Sequence, residues 1–345
     1  MKLSILDQSP RYEGERAEDA FQHTIQLAQL AEELGYHRFW VAEHHDSEHV
    51  VGSSPEVLIS HLLAKTNHIR IGSGGVMLQH YSPYKVAENF NVLASLSPNR
   101  IDLGIGRAPG GLPHSTQALQ QNSQPTKSLT DKLIELKQYL NDTLPEDHPL
   151  YGLEAYPRPE KSADMFLLGA SASSAELAGS LNLPYVFAQF INGDQKVLEE
   201  AISVYNQHVS SRARSLIVAL SVIVADTVEE AKALASSTKI FKVYLQNGKS
   251  ATLGSREKAE EFGQQSKESY RIEEKEANVI SGTKETVRQK LQALKQKFSI
   301  DEFIILTAIQ NFEQKKRSYT LLKKAFNEGD VQKTNHTLAA FQSRI

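Results

Sequence analysis

Short apolar runs alternate along the chain with longer stretches whose apolar positions recur at three- and four-residue spacing, and most runs close on a polar or glycine-bearing turn. Leu3–Leu6 ends at Asp7-Gln8-Ser9-Pro10, and Ala17–Leu34 then puts Phe21, Ile25, Ala28 and Ala31 on one helical face before Gly35. Arg38–Ala42 predicts a second strand, after which Ser54-Pro55-Glu56 opens a helix with a cap and a first-position proline. Strands three and four are predicted over Ile69–Leu78 and Ile101–Arg107, separated by a helix led by Pro83. Met165–Leu168, Tyr185–Ala188 and Leu216–Ala225 predict three more, and Asp301–Leu306 an eighth. Helices are expected over Leu129–Leu140, from Ser171 onward, over Lys196–His208, from the capping-box pattern at Thr227-Val228-Glu229-Glu230, and over Glu285–Lys297. Regular alternation implies parallel strands with crossover helices, and eight strands with seven intervening helices favour an α/β, (β/α)8 TIM barrel over an open doubly wound sheet.

Three stretches interrupt the pattern. A single domain over 1–345 is expected, with insertions at about 108–126, 141–164 and 239–281 and extra C-terminal helix in 319–345. The first two read as surface loops. The third is polar and charged, too long for an ordinary connection, and reads as a lid over the barrel mouth.

Composition narrows the class. With 345 residues, 40% of them hydrophobic, the chain can bury a large core. Lys+Arg of 38 against Asp+Glu of 41, without a long basic run, argues against nucleic acid as a partner. The absence of cysteine excludes disulfides, thiolate metal sites and cysteine nucleophiles. No apolar stretch is long enough to span a membrane, so a cytoplasmic location is expected.

A barrel of this kind works at the carboxyl edge of its strands. There Phe39-Trp40-Val41-Ala42 runs directly into Glu43-His44-His45, delivering a carboxylate and two imidazoles to the rim. Ser171–Ser174 begin a helix and read either as caps or as a phosphate site. Arg107 leaves a glycine-flanked strand as a phosphate fork or as a rim ion pair. Glycines at 72, 74, 75, 104 and 106 strip side chains from two adjacent strands, for close strand packing or for a flat ligand. Taken together these outline a flat, phosphorylated cofactor, which flavin mononucleotide satisfies. A dinucleotide fits poorly, because Gly104-Ile105-Gly106-Arg107 lacks the glycine-rich continuation of that fingerprint. No further acid or histidine is placed to complete a metal shell.

The chain resembles the flavin-dependent luciferase-like monooxygenases, relatives of the bacterial luciferase α subunit, over almost its whole length. The likeness is carried by Glu43-His44-His45, by Gly72-Ser73-Gly74-Gly75-Val76-Met77-Leu78, by Arg100 to Pro109, and by Gly169 to Glu176 with Leu183-Pro184 after it. It implies reduced FMN at the barrel mouth, with Arg107, Ser171 and Ser174 and the backbone near Ala172 on the 5′-phosphate. It also implies a cis peptide at Gly74-Gly75 beneath the ring, Gly106 beside the carbon that takes up oxygen, and Gln189 and Phe190 along the ring edge. His44 matches the catalytic histidine, with Glu43 in support and His45 unassigned. The implied reaction is a two-component monooxygenation through a C4a-hydroperoxyflavin, with O2, a small organic substrate, a separate NAD(P)H:flavin reductase and a homodimer packed through early helices. Gln189 stands where aromatics or histidine are common, Gly106 where a cysteine occurs, and Ala170 where the true luciferase is acidic, so light emission is not implied. Two alternatives stay open: a deazaflavin- or flavin-dependent oxidoreductase without oxygenation, and a non-catalytic flavin-binding partner subunit.

Overall fold

The computed structural model describes residues 1–121, 127–236, 239–248 and 250–342, with side chains of the last helix to residue 327. In chain order its strands are β1 Lys2–Asp7, β2 Arg38–Val41, β3 Arg70–Val76, β4 Ile101–Ile105, β5 Asp164–Gly169, β6 Tyr185–Ala188, β7 Leu216–Val224, β8 Lys239–Leu245, β9 Ser250–Leu253, β10 Tyr270–Glu276, β11 Val279–Gly282 and β12 Glu302–Leu306. The helices are α1 Ala17–Glu33, α2 Pro55–Lys65, α3 Pro83–Leu96, α4 Pro113–Leu119, α5 Leu129–Asn141, α6 Ala172–Ser180, α7 Gln195–His208, α8 Val228–Ser236, α9 Arg256–Ser266, α10 Lys284–Phe298 and α11 Phe312–Gln342. Among the described residues no helix is long and apolar enough to cross a membrane.

Strands β1 to β7 and β12 pair in parallel in the order β12-β1-β2-β3-β4-β5-β6-β7, and β7 pairs with both β6 and β12, which closes the expected (β/α)8 TIM barrel. The continuous run Leu216–Val224 is buried at every position because it touches neighbours on both faces. Its outer half extends past the barrel and accepts β11 as an additional parallel strand, Val279↔Ser221 to Gly282↔Val224. Proline opens α2 and α3, where its missing N–H leaves no partner wanting, and Ser128 and Asp131 close a capping box on α5.

Alternation along the strands divides the interior. Leu6, Trp40, Phe166, Val186, Ile217, Ala219 and Ile304 fill the lumen, whereas a larger apolar shell lies between barrel and helices. Beneath the lumen sits a charged floor. Arg38 donates to Glu302 at 2.8 and 3.0 Å and to Asp102 at 2.8 Å, Arg70 donates to Asp102 at 3.0 Å and to Asp164 at 2.6 Å, and Ser4 donates to Glu302 at 2.5 Å. The Arg38 guanidinium also lies 4.8 Å from the Phe166 ring centroid, and the Trp40 indole donates to Asp102 at 2.9 Å.

The interruptions fold more fully than the sequence pattern predicts. Residues 239–276 form a three-stranded antiparallel sheet, β10-β8-β9, packed on α9 around Phe241, Val243 and Ala259. They are therefore a small folded unit, whose α9 meets the rim side where Gln265 accepts from His114 N–H at 3.0 Å, and 279–282 belong to the main sheet. The predicted loop at 108–126 contains α4, started by Pro113 at its first turn; the part of it over 122–126 lies outside the described residues. The third and fourth strands end earlier than predicted, at Val76 and Ile105, which leaves Met77 to His80 and Gly106-Arg107 on the rim.

Candidate active site

The candidate site residues from Glu43 to Phe190 lie at or just beyond the carboxyl halves of β2 to β6. The end of β2 carries Glu43 fully buried, at 0% exposure, with both oxygens engaged: Oε1 accepts from His45 Nε2 and from the Tyr81 hydroxyl, each at 2.8 Å, and Oε2 accepts from Met77 N–H at 3.0 Å. Glu43 thus ties the β2 rim to the turn after β3, and it sets the tautomer of His45 by taking the Nε2 proton. Burial and this carboxylate together raise the Tyr81 phenol well above its ordinary range, so it stays a donor.

His44 differs. Its backbone N–H donates to Gly52 O at 2.8 Å, but its Nδ1 is buried without a partner while part of the residue stays accessible. Burial pushes the imidazole down to about 4, with the Glu43 carboxylate pulling the other way and His45 adding to the fall. A neutral ring with an unpartnered nitrogen is the result. Across the barrel, at the end of β6, Gln189 is 8% exposed and its Oε1 is likewise buried with no partner. Phe190, next to it, packs against the lumen cluster. Of the five buried side-chain polar atoms without a partner among the described residues, these two lie at the carboxyl edge of the barrel, where a polar ligand would satisfy them.

The glycines separate into two kinds. A Cβ on Gly72 would come within 2.8 Å of Trp40 Nε1 and 2.6 Å of Asp102 Cβ; one on Gly75 would lie 2.6 Å from Gly104 O; one on Gly104 would lie 2.2 Å from Ser73 O. Gly74 has Leu6 and Trp40 in the same position. These glycines make room for the Trp40 indole and for the β3–β4 contact, so strand packing by itself already requires glycine at these positions. Only at Gly106 would a Cβ meet nothing but the flexible end of Met77, at 3.1 and 3.2 Å. The Gly74–Gly75 peptide is cis.

At the start of α6 the serines act first as caps. Ser171 Oγ accepts from Ser174 N–H, while the Ser174 hydroxyl donates to Ser171 O at 2.8 Å and lies 2.9 Å from the Tyr185 hydroxyl. Ser174 is buried in these contacts, so its hydroxyl is committed to the protein, and a ligand at this corner has the Ser171 and Ser173 hydroxyls and the first-turn amides, Ala172 N–H among them. Tyr185 is pushed up to about 12 by burial, and the Arg107 charge is close enough to pull against that rise. Arg107 itself is exposed and has no hydrogen bond or ion pair among the described residues. Among the described residues Arg107 therefore forms no rim ion pair, and its charge lies within electrostatic reach of Tyr185, whose hydroxyl touches the first residues of α6.

Met77, Gln79, His80 and Tyr81 join the rim although the apolar pattern extends the third strand through Leu78 and leads from there toward the Pro83 helix. The abrupt change from Val76-Met77-Leu78 to Gln79-His80-Tyr81 was the available signal. Asp7, at the carboxyl end of β1, turns outward, where it accepts from Lys315 at 2.6 Å and from Thr24 at 2.7 Å. Two surface concavities, one between α5 and α6 and one at the amino-terminal end of the barrel, hold none of the residues above.

Comparison with known proteins gives these features a setting. A family model described as luciferase-like monooxygenase matches residues 1–302. The N-acetyl-S-alkylcysteine monooxygenase of Bacillus subtilis (strain 168) is 46% identical over 327 residues, covering 94% of this chain and 98% of that one. The crystal structure of apo-MsnO8 superposes with a TM-score of 0.78 at 32% identity, over 94% of this chain and 97% of its own. The oxygenating constituent of 3,6-diketocamphane monooxygenase from Pseudomonas putida, a type II Baeyer-Villiger enzyme in complex with FMN, shares the fold with a TM-score of 0.68 at 19% identity, over 94% and 97%.

Proposed function

The chain belongs to the luciferase-like monooxygenase family, and from that premise we propose a two-component, FMN-dependent monooxygenase that receives reduced FMN from a separate NAD(P)H:flavin reductase. The observation that carries the reading is the Arg107 guanidinium, exposed and without a partner among the described residues, whose charge reaches Tyr185 at the start of α6, a ready site for the 5′-phosphate. When bound, reduced FMN supplies the electrons that activate O2. The protein's own residues do the rest. Arg107, Ser171 and the Ala172 amide hold the phosphate, and Gln189, with an unpartnered amide oxygen, and Phe190 line the ring site. His44 stays neutral at ordinary pH and can take or return a proton, while Glu43 fixes the rim around it and takes no proton from substrate. The relative acting on N-acetyl-S-alkylcysteine makes a thioether on an acylated amino acid the first substrate to test. A homodimer through α2 and α3 is part of the reading, since Val57 and Leu96 leave 68% and 65% of their surface exposed there.

The test is to supply chemically reduced FMN, labelled O2 and an N-acetyl-S-alkylcysteine and to follow label in the product by mass spectrometry. Incorporation with reduced FMN and none with a reduced deazaflavin is expected; hydride transfer from deazaflavin without oxygen uptake would overturn the monooxygenase reading in favour of an oxidoreductase. His44→Ala should bind oxidised FMN as the wild type does and form product at least about 100-fold more slowly, the lower range for a lost proton-transfer group.

A further inference from the structure

The three carbonyls that follow Arg107 are each taken by a donor from another part of the rim. Gln79 Nε2–H donates to Ala108 O at 2.8 Å, His80 Nε2–H donates to Pro109 O at 2.8 Å, and the His45 backbone N–H donates to Gly110 O at 2.7 Å. A carbonyl only accepts, so the His80 proton sits on Nε2; Nδ1 is then bare and receives the Gln120 side-chain amide at 3.1 Å. Both nitrogens of this 8% exposed ring are therefore occupied in its neutral form.

The donors are fixed in turn. The Lys132 ammonium reaches down from α5 to the carbonyls of Leu78, Gln79 and Tyr81 at 3.3, 2.9 and 3.0 Å, which holds the turn carrying Gln79 and His80. Glu43 holds the same turn from the other side through Met77 N–H and the Tyr81 hydroxyl. The backbone at 108–110 is thus anchored to the rims of β2 and β3, whereas the Arg107 side chain in front of it is left without a partner among the described residues. An anchored backbone behind a free cation is the arrangement that reduces the ordering cost of binding an anion.

We propose that Gln79 and His80 are positioning residues for anion binding: by holding the carbonyls of Ala108 and Pro109 they aim the Arg107 guanidinium at the α6 corner and so set how strongly the site prefers a phosphorylated ligand. The inference rests on the reading that the 5′-phosphate of FMN is bound by Arg107. It predicts an effect confined to the phosphate, which general damage to the rim would not produce.

The experiment titrates the full-length protein with oxidised FMN and with riboflavin, which lacks the phosphate, by flavin fluorescence. Wild type should bind FMN more tightly than riboflavin. In His80→Phe the FMN-over-riboflavin preference should fall about tenfold, with the riboflavin Kd unchanged, a loss on the scale of one charge-assisted hydrogen bond. Gln79→Met, at a partly exposed position, should move the preference in the same direction and serves where His80→Phe lowers the melting temperature. In an Arg107→Ala background neither variant should weaken FMN binding further. An unchanged preference, or parallel loss of FMN and riboflavin affinity, would overturn the positioning role. A wild type that binds the two flavins alike would instead refute the phosphate corner itself.

Discussion

His44 and His45 are adjacent in sequence and chemically unlike, because one meets a carboxylate and the other does not. His45 shares a hydrogen bond with Glu43, whereas His44 is desolvated with an unpartnered Nδ1. Since native His44 titrates at about 4 and an unfolded histidine at about 6.5, the unfolded chain holds more protons throughout that window. Stability therefore rises with pH across the window and is lost on acidification from about 6.5 toward 4. At roughly 1.4 kcal/mol per pH unit this amounts to at most about 3.5 kcal/mol. Urea unfolding at about pH 7 and about pH 4.5 should show His44→Gln losing less stability than wild type on acidification. Equal losses would mean that the native imidazole is already charged.

At the scale of single elements, β3 and β4 show how much of a glycine pattern is packing. Gly104→Ala would press a methyl 2.2 Å from the Ser73 carbonyl, a backbone atom in a barrel strand that cannot move aside. The cost should be about 1–3 kcal/mol or more in denaturant unfolding. Gly106→Ala, facing only the Met77 thioether, should be close to neutral in the same measurement. Equal destabilisation at both positions would refute the distinction between packed and open glycines. The start of α6 makes a parallel point: its serines are caps first, and what they leave for a ligand is mainly backbone N–H.

For the molecule as a whole, closure of the barrel brings Arg38, Glu302, Asp102, Arg70 and Asp164 together on its floor, joining the last strand to the second, third, fourth and fifth. Arg38 is 6% exposed and bridges Asp102 and Glu302, so Arg38→Met leaves two buried carboxylates short of a cation. A loss of about 3–5 kcal/mol is expected on thermal or urea unfolding, with flavin affinity of the folded fraction unchanged because the floor lies at the opposite end from the rim. A change of under about 1 kcal/mol would show that the network is dispensable.

The sequence by itself determined the barrel and part of its rim. Its apolar runs are short enough to be strands, its helices carry their caps and prolines locally, and a parallel strand's carboxyl end is where its polar residues must emerge, so Glu43-His44-His45, Gly106-Arg107, Ser171–Ser174 and Gln189 were legible without coordinates. Only the tertiary structure decided their partners. Whether Gly72 makes room for a ligand or for Trp40, whether Ser174 faces a phosphate or Tyr185, and whether the carbonyls behind Arg107 are held by Gln79 and His80 are questions of contact between strands far apart in the chain. Local pattern reports propensity and facing, which each segment carries alone; hydrogen-bond partners and burial are properties of pairs, and those pairs exist only once the barrel has closed.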